Sequence, residues 1–142
     1  MYVITSSRVV RGDVAAIWAV SADVARWPGW DPHEQDARLD GPFAVGARGW
    51  SKPRGGPGAD WTLTEVEHGR AWGSACALPG GGLRGRSTFE ALGRDRVRCT
   101  RRIEVTGPLV PLFRLWFGPW IRRDLDRTWI ALEAEVARRA AV

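Results

Sequence analysis

The segment Val97-Arg98-Cys99-Thr100-Arg101-Arg102-Ile103-Glu104-Val105 alternates as a strand does, and its alternation sets one guanidinium on the apolar side. Side chains two residues apart share a strand face, so Val97, Cys99, Arg101, Ile103 and Val105 point one way and their neighbours the other. Roughly several kcal/mol are lost when a guanidinium is buried without a carboxylate, water or ligand oxygen beside it. A hydrated ligand cavity supplies such partners, and Arg101 would there polarise a ligand oxygen. Two other readings stand beside it. One is an internal ion pair with Asp124 or Glu65; the other is a bulge that turns Arg101 outward.

Two more residues could move a proton. Asp124 lies at the edge of an apolar helical stripe, one turn after Trp120 and one before Thr128. Turned inward it would partner Arg101; exposure is the ordinary state of a carboxylate at such an edge. His33 follows the turn Trp27-Pro28-Gly29-Trp30-Asp31-Pro32 and is the histidine to test as a proton carrier, whereas His68 sits in a turn, Glu67-His68-Gly69-Arg70. The catalytic candidates are thus Arg101, Asp124 and His33. The expected ligand contacts are Ser87 and Phe89 on one strand, Cys99 and Ile103 on the next, Trp50, and the aromatic group Phe113, Trp116, Phe117 and Trp120. Trp50, Trp61 and Trp72 lie in strands whose facing alternation alone leaves open.

These residues need elements to hold them. Tyr2 to Val10 reads as a strand. Val14, Ile17 and Trp18 follow at helical spacing, and Ser21 and Asp23 offer a fresh N-cap for a second short helix. Pro28, Gly29 and Pro32 should keep Trp27 to His33 non-helical. Strand-like segments then recur at Glu34 to Leu39, Val45 to Lys52, Trp61 to Val66, Ala71 to Leu78, Leu83 to Leu92 and Arg96 to Thr106. Turns rich in Gly, Asp and Pro separate them, as in an antiparallel meander.

After Gly107 and Pro108 the pattern becomes helical. Leu109, Leu112, Phe113, Trp116 and Trp120 share one side; Ile121, Leu125, Trp129, Leu132 and Val136 share another, rotated by more than a right angle. The phase breaks at Gly118 and Pro119, which predicts a helix kinked or restarted near Pro119.

The run VAAIWAVSADVARWPGWDP resembles the N-terminal signature of START-like proteins of the polyketide cyclase/dehydrase type. Ile17, Trp18, Asp23, Trp27, Trp30, Asp31 and Pro32 carry the likeness. LDGPFAVGARG and TRRIEVTGPLVPLF resemble the same family's link into its third strand and its last strand with the start of the C-terminal helix. The resemblance spans the chain and implies an α+β helix-grip fold: a curved antiparallel sheet of about seven strands around a long C-terminal helix, with two short helices after the first strand. It also implies an internal site for a hydrophobic small molecule. Two functions fit such a site, a cofactor-free cyclase or dehydratase of secondary metabolism and a non-catalytic carrier of a lipid, quinone or polyketide.

Composition narrows the rest. The 142 residues make one domain, 1–142, with an ordinary 44% hydrophobic content and no apolar run long enough for stable membrane insertion. The N-terminus lacks the apolar core of a signal peptide, which predicts a cytoplasmic protein. Cys76 and Cys99 have no metal-ligand spacing, and no phosphate loop, metal cluster or Ser-His-Asp arrangement can be read, so no metal and no cofactor are expected. The net charge of +5 comes from 20 arginines and one lysine scattered among acidic residues, which speaks against nucleic acid as a partner. Oligomeric state is not legible.

Overall fold

A computed structural model describes residues 1–141. Strand β1 (Tyr2–Arg11) leads into helix α1 (Val14–Ala22), a 3₁₀ turn (Val24–Arg26) and a single helical turn, α2 (Trp27–Trp30). Six strands follow: β2 (Glu34–Leu39), β3 (Arg48–Pro53), β4 (Ala59–Glu67), β5 (Ala71–Leu78), β6 (Gly81–Ala91) and β7 (Arg96–Thr106). They form one antiparallel seven-stranded sheet in the order β1-β7-β6-β5-β4-β3-β2, as a meander closed by β1 on its last strand requires. Bulges at Glu34/Asp36 and Leu63/Glu65 bend the β2 and β4 strands. The chain ends in α3 (Val110–Leu112), a π-helical turn (Phe113–Phe117) and α4 (Gly118–Ala140), which lies across the concave face. This is the helix-grip architecture that the resemblance implied.

Two local expectations need correction. Trp27 to Trp30 is helical despite Pro28, because that proline stands in the first turn, where no backbone N–H is needed; the Asp31 N–H closes the turn on the Trp27 carbonyl at 2.8 Å. Strand β3 begins at Arg48, not Val45. The preceding residues make a turn in which the Ala47 N–H donates to the Ala44 carbonyl at 3.0 Å and Gly46 takes φ 92°.

The predicted phase break is a π turn. Leu109, Phe113, Phe117, Ile121 and Leu125 all face the sheet, and each step of four overshoots a 3.6-residue turn by about 40°, so a plain α-helix would wind this stripe away. The wider turn absorbs the drift. Gly118 donates its N–H to Phe113, five residues back, and Pro119 has no N–H for the Leu115 carbonyl. Gly118 also lets β1 approach, since a Cβ there would overlap the Tyr2 ring. No helix among the described residues is long and apolar enough to cross a membrane.

Candidate functional site

The interior under α4 holds a packed core at one end and a cavity beside it, and beyond the cavity a second, smaller cluster of Ile4, Ile103, Val105 and Phe113. At the filled end Ile17 and Trp18 of α1 pack with Phe89, Val97, Cys99, Leu132 and Val136. Toward α3 and the π turn, sheet and helix separate around a cavity of about 430 Å³, within the range of small-molecule sites. Its walls are chiefly apolar and rich in aromatic rings. Trp27 stacks between Trp61 and Trp72, with ring centroids 5.9 Å from each, while Phe113, Phe117 and Trp120 line the helical side.

Arg101 faces this cavity. Both ladders of β7 run without a bulge, so strand alternation holds through the residue. Its guanidinium lies 4.7 Å above the Trp72 ring and donates to the Ser87 hydroxyl at 2.9 Å. Gly85 makes room, because a Cβ there would overlap the guanidinium. Neither expected carboxylate pairs with it: Asp124 goes to His33 and Glu65 to Arg86. Enclosed by protein yet reachable from the cavity, Arg101 is pushed down to about 10 by burial, with Glu34 and Asp31 acting in the opposite sense.

His33 and Asp124 meet across 91 residues of chain. The His33 Nδ1 lies 2.7 Å from Asp124 Oδ2, and Asp124 is buried on α4 behind the ring. An ionised Asp124 sets Nδ1 as the donor and leaves Nε2 as the free base of the imidazole. The turn before His33 is tied down by Asp31, whose Oδ1 accepts from the His33 N–H at 2.9 Å and from the Thr128 hydroxyl at 2.8 Å. Burial raises the Asp31 carboxyl, against the pull of these two bonds. Trp120 covers the ring at 5.4 Å.

Glu34, unmarked by the sequence reading, completes the polar end. It opens β2 directly after His33 and lines the cavity, and among the described residues its Oε2 has no hydrogen-bond partner, as is true of the Trp30 Nε1. Burial pushes the carboxyl up to about 7, opposed by His33 and Arg101. No periodicity exposes this residue: its burial comes from its place at the cavity wall, among residues distant in the chain. The one available sign was its position beside the tryptophan-rich turn.

Of the expected ligand contacts, Ser87, Ile103, Phe113, Phe117 and Trp120 line the cavity, together with His33 and Arg101. Four others do not. Phe89 and Cys99 point inward as alternation required, but into the filled end, where Trp18 meets Phe89 edge to face at 5.8 Å and burial pushes the Cys99 thiol up to about 12. Trp50 faces away from the cavity: Gly49 and Ser51 take the inner side of β3 beneath Trp61, leaving Trp50 on the opposite face under Arg38 at 4.7 Å. Trp116 is exposed because the π turn re-aims the stripe. Among the described residues no group of three or more His, Cys, Asp and Glu side chains is placed to hold a metal ion.

Residues 1–137 match the family model described as polyketide cyclase / dehydrase and lipid transport. The chain belongs to this family. Solved structures share its fold at low identity. The Zhui aromatase/cyclase from Streptomyces sp. R1128 is 14% identical, with a TM-score of 0.80 over 98% of this chain and 95% of that one. A START superfamily protein from Mycobacterium smegmatis is 13% identical, with a TM-score of 0.76 over 97% and 99% of the two chains. Norcoclaurine synthase from Thalictrum flavum, solved with dopamine and hydroxybenzaldehyde, is 13% identical, with a TM-score of 0.70 over 96% of this chain and 87% of that one. No curated protein matches the sequence.

Proposed function

We propose that this protein binds a flat hydrophobic molecule with oxygen substituents and catalyses its cyclisation or dehydration without a cofactor. The observation that carries the reading is the pairing of an aromatic-rich cavity with a hydrogen-bonded His33–Asp124 dyad and an Arg101 that makes no ion pair among the described residues. The aromatic walls would hold a flexible chain folded on itself, which removes much of the entropic barrier to ring closure. Arg101 draws charge onto a carbonyl oxygen. His33 Nε2 takes a proton from the carbon beside it, and the resulting enolate closes on a second carbonyl. Asp124 steadies the imidazolium. That proton, passed to the new alkoxide, makes a hydroxyl; His33 then takes the second hydrogen from the same carbon and delivers it to the hydroxyl, which leaves as water as the double bond forms, so no oxidant or reductant is required.

Native mass spectrometry of protein purified from its own host should reveal a bound small molecule. Incubation with a flexible polycarbonyl chain should then yield a product lighter by the water lost on ring closure. The variant His33→Ala should retain binding and lose turnover. Binding with no turnover in the native protein would assign the carrier role instead, and the absence of any bound or bindable aromatic molecule would overturn the reading.

A further inference from the structure

The segment from Leu109 to Trp120 is apolar on both sides. Its inner side lines the cavity through Leu109, Phe113, Phe117 and Trp120; its outer side shows Leu112, Leu115 and Trp116 to solvent at 44%, 80% and 73% exposure. A helix apolar all round in a water-soluble fold has a further apolar surface to meet. Three side chains cannot make a stable dimer, which takes roughly 20–30 residues from each partner. They do suit shallow insertion into a lipid interface, where Trp and Leu enter and basic residues stay at the headgroups.

The surrounding charge is one-sided. Between Glu104 and Asp124 the chain has no acidic residue and three arginines, Arg114, Arg122 and Arg123. The opposite rim of the cavity mouth, the β3–β4 turn that meets Trp120 at Gly56, lies in a stretch from Asp40 to Asp60 that contains no other acid and carries Arg48, Lys52 and Arg54. Arg54, Arg114 and Arg122 make no ion pair among the described residues. We infer that the cavity mouth docks on an anionic lipid surface, with Leu112, Leu115 and Trp116 entering the interfacial layer and Arg114, Arg122 and Arg54 meeting phosphate groups. The apolar mouth would then open toward a lipid phase and not toward water. This inference concerns the outer surface and does not depend on the reaction proposed for the interior.

Sedimentation with phosphatidylcholine vesicles, with and without an equal share of phosphatidylglycerol, tests it. The native protein should bind the mixed vesicles, bind pure phosphatidylcholine far less, and come off as salt is raised. The double variant Leu115→Glu/Trp116→Glu should melt at the native temperature and lose vesicle binding. Arg114→Gln/Arg122→Gln should weaken it by roughly 10- to 30-fold, given the usual contribution of a basic residue at such a surface. Binding unaffected by the double variant, or equal binding to both vesicle types, would overturn the inference. So would a concentration-dependent dimer, seen by analytical ultracentrifugation and abolished by the same double variant, because it would assign the patch to a second copy. Loss of vesicle binding leaves the cavity reading untouched, and loss of ligand binding leaves this one untouched.

Discussion

The packed end of the interior and the cavity beside it are built from the same elements and behave oppositely. One strand, β7, contributes Val97 and Cys99 to a solid core and, two residues on, Arg101 to a cavity; one helix, α4, contributes Leu132 to the boundary and Val136 to the core. The difference lies in α1. Ile17 and Trp18 fill the space between sheet and helix at one end; beyond the cavity only the smaller cluster of Ile4, Ile103, Val105 and Phe113 closes it again. A helix-grip sheet therefore does not make a cavity by its curvature alone. It makes one where the plug stops, and the aromatic stack of Trp61, Trp27 and Trp72 with Arg101 above it stands at that limit.

Truncation should separate the two ends most sharply. Trp18→Ala removes a fully packed indole and should destabilise the protein by about 3–5 kcal/mol. Phe117→Ala, at the hollow end, should cost about 1 kcal/mol or less in stability while weakening aromatic ligands, because its neighbours on one side are already absent. Denaturant titration of the two variants checks this, and equal losses would mean that the cavity collapses when unliganded.

Acid–base behaviour should differ between the ends as well. Glu34 is raised to about 7 in the folded protein from an ordinary 4.5, so the folded state holds a proton there that the unfolded chain releases. The stability this contributes is complete below about pH 4.5 and disappears as pH rises through about 7, amounting to roughly 2–3 kcal/mol with some water in the cavity. Glu34→Gln should flatten that slope, which thermal melts from pH 4 to 8 would show as a gain relative to the native protein at the alkaline end. An unchanged slope would place the Glu34 carboxyl in water.

The smallest effect on folding should come at Arg101. Arg101→Met keeps an apolar stem over Trp72 and breaks no ion pair among the described residues, since Asp124 is held by His33, and Glu34, which loses a nearby cation, can take up a proton instead, so stability should change little. Calorimetry with an oxygen-bearing aromatic ligand should show a loss of roughly 1.5–3 kcal/mol, the contribution of a charge-assisted hydrogen bond. Unchanged affinity in a folded variant would remove Arg101 from the site. A large loss of stability would mean that a buried acid depends on it.

Much of the fold was legible because its signals are local. Alternation gave the limits of β2, β5 and β7, the inward side of Arg101 follows from a period of two, and the phase break at Gly118 and Pro119 anticipated the restart of α4. The single turn at Trp27–Trp30 was misread because a proline that breaks a helix interior is harmless in a first turn. Period alone also could not separate Cys99 and Phe89 from Ile103 and Ser87. All four point inward, and only the position of α1 along the sheet decides which meet a filled core and which an open cavity.

The sequence by itself determined the order of elements, the family, and the presence of a cation on an apolar face. Tertiary structure alone decided what that cation meets. His33 and Asp124 become partners because α4 crosses the turn after α2, Glu34 is enclosed in the cavity wall, and Trp116 turns outward because a π turn rephases the helix beneath it. Secondary structure follows from spacings within a few residues. Burial and charge pairing follow from which distant surfaces are pressed together, and that depends on how the whole chain fills, or leaves unfilled, the space between sheet and helix.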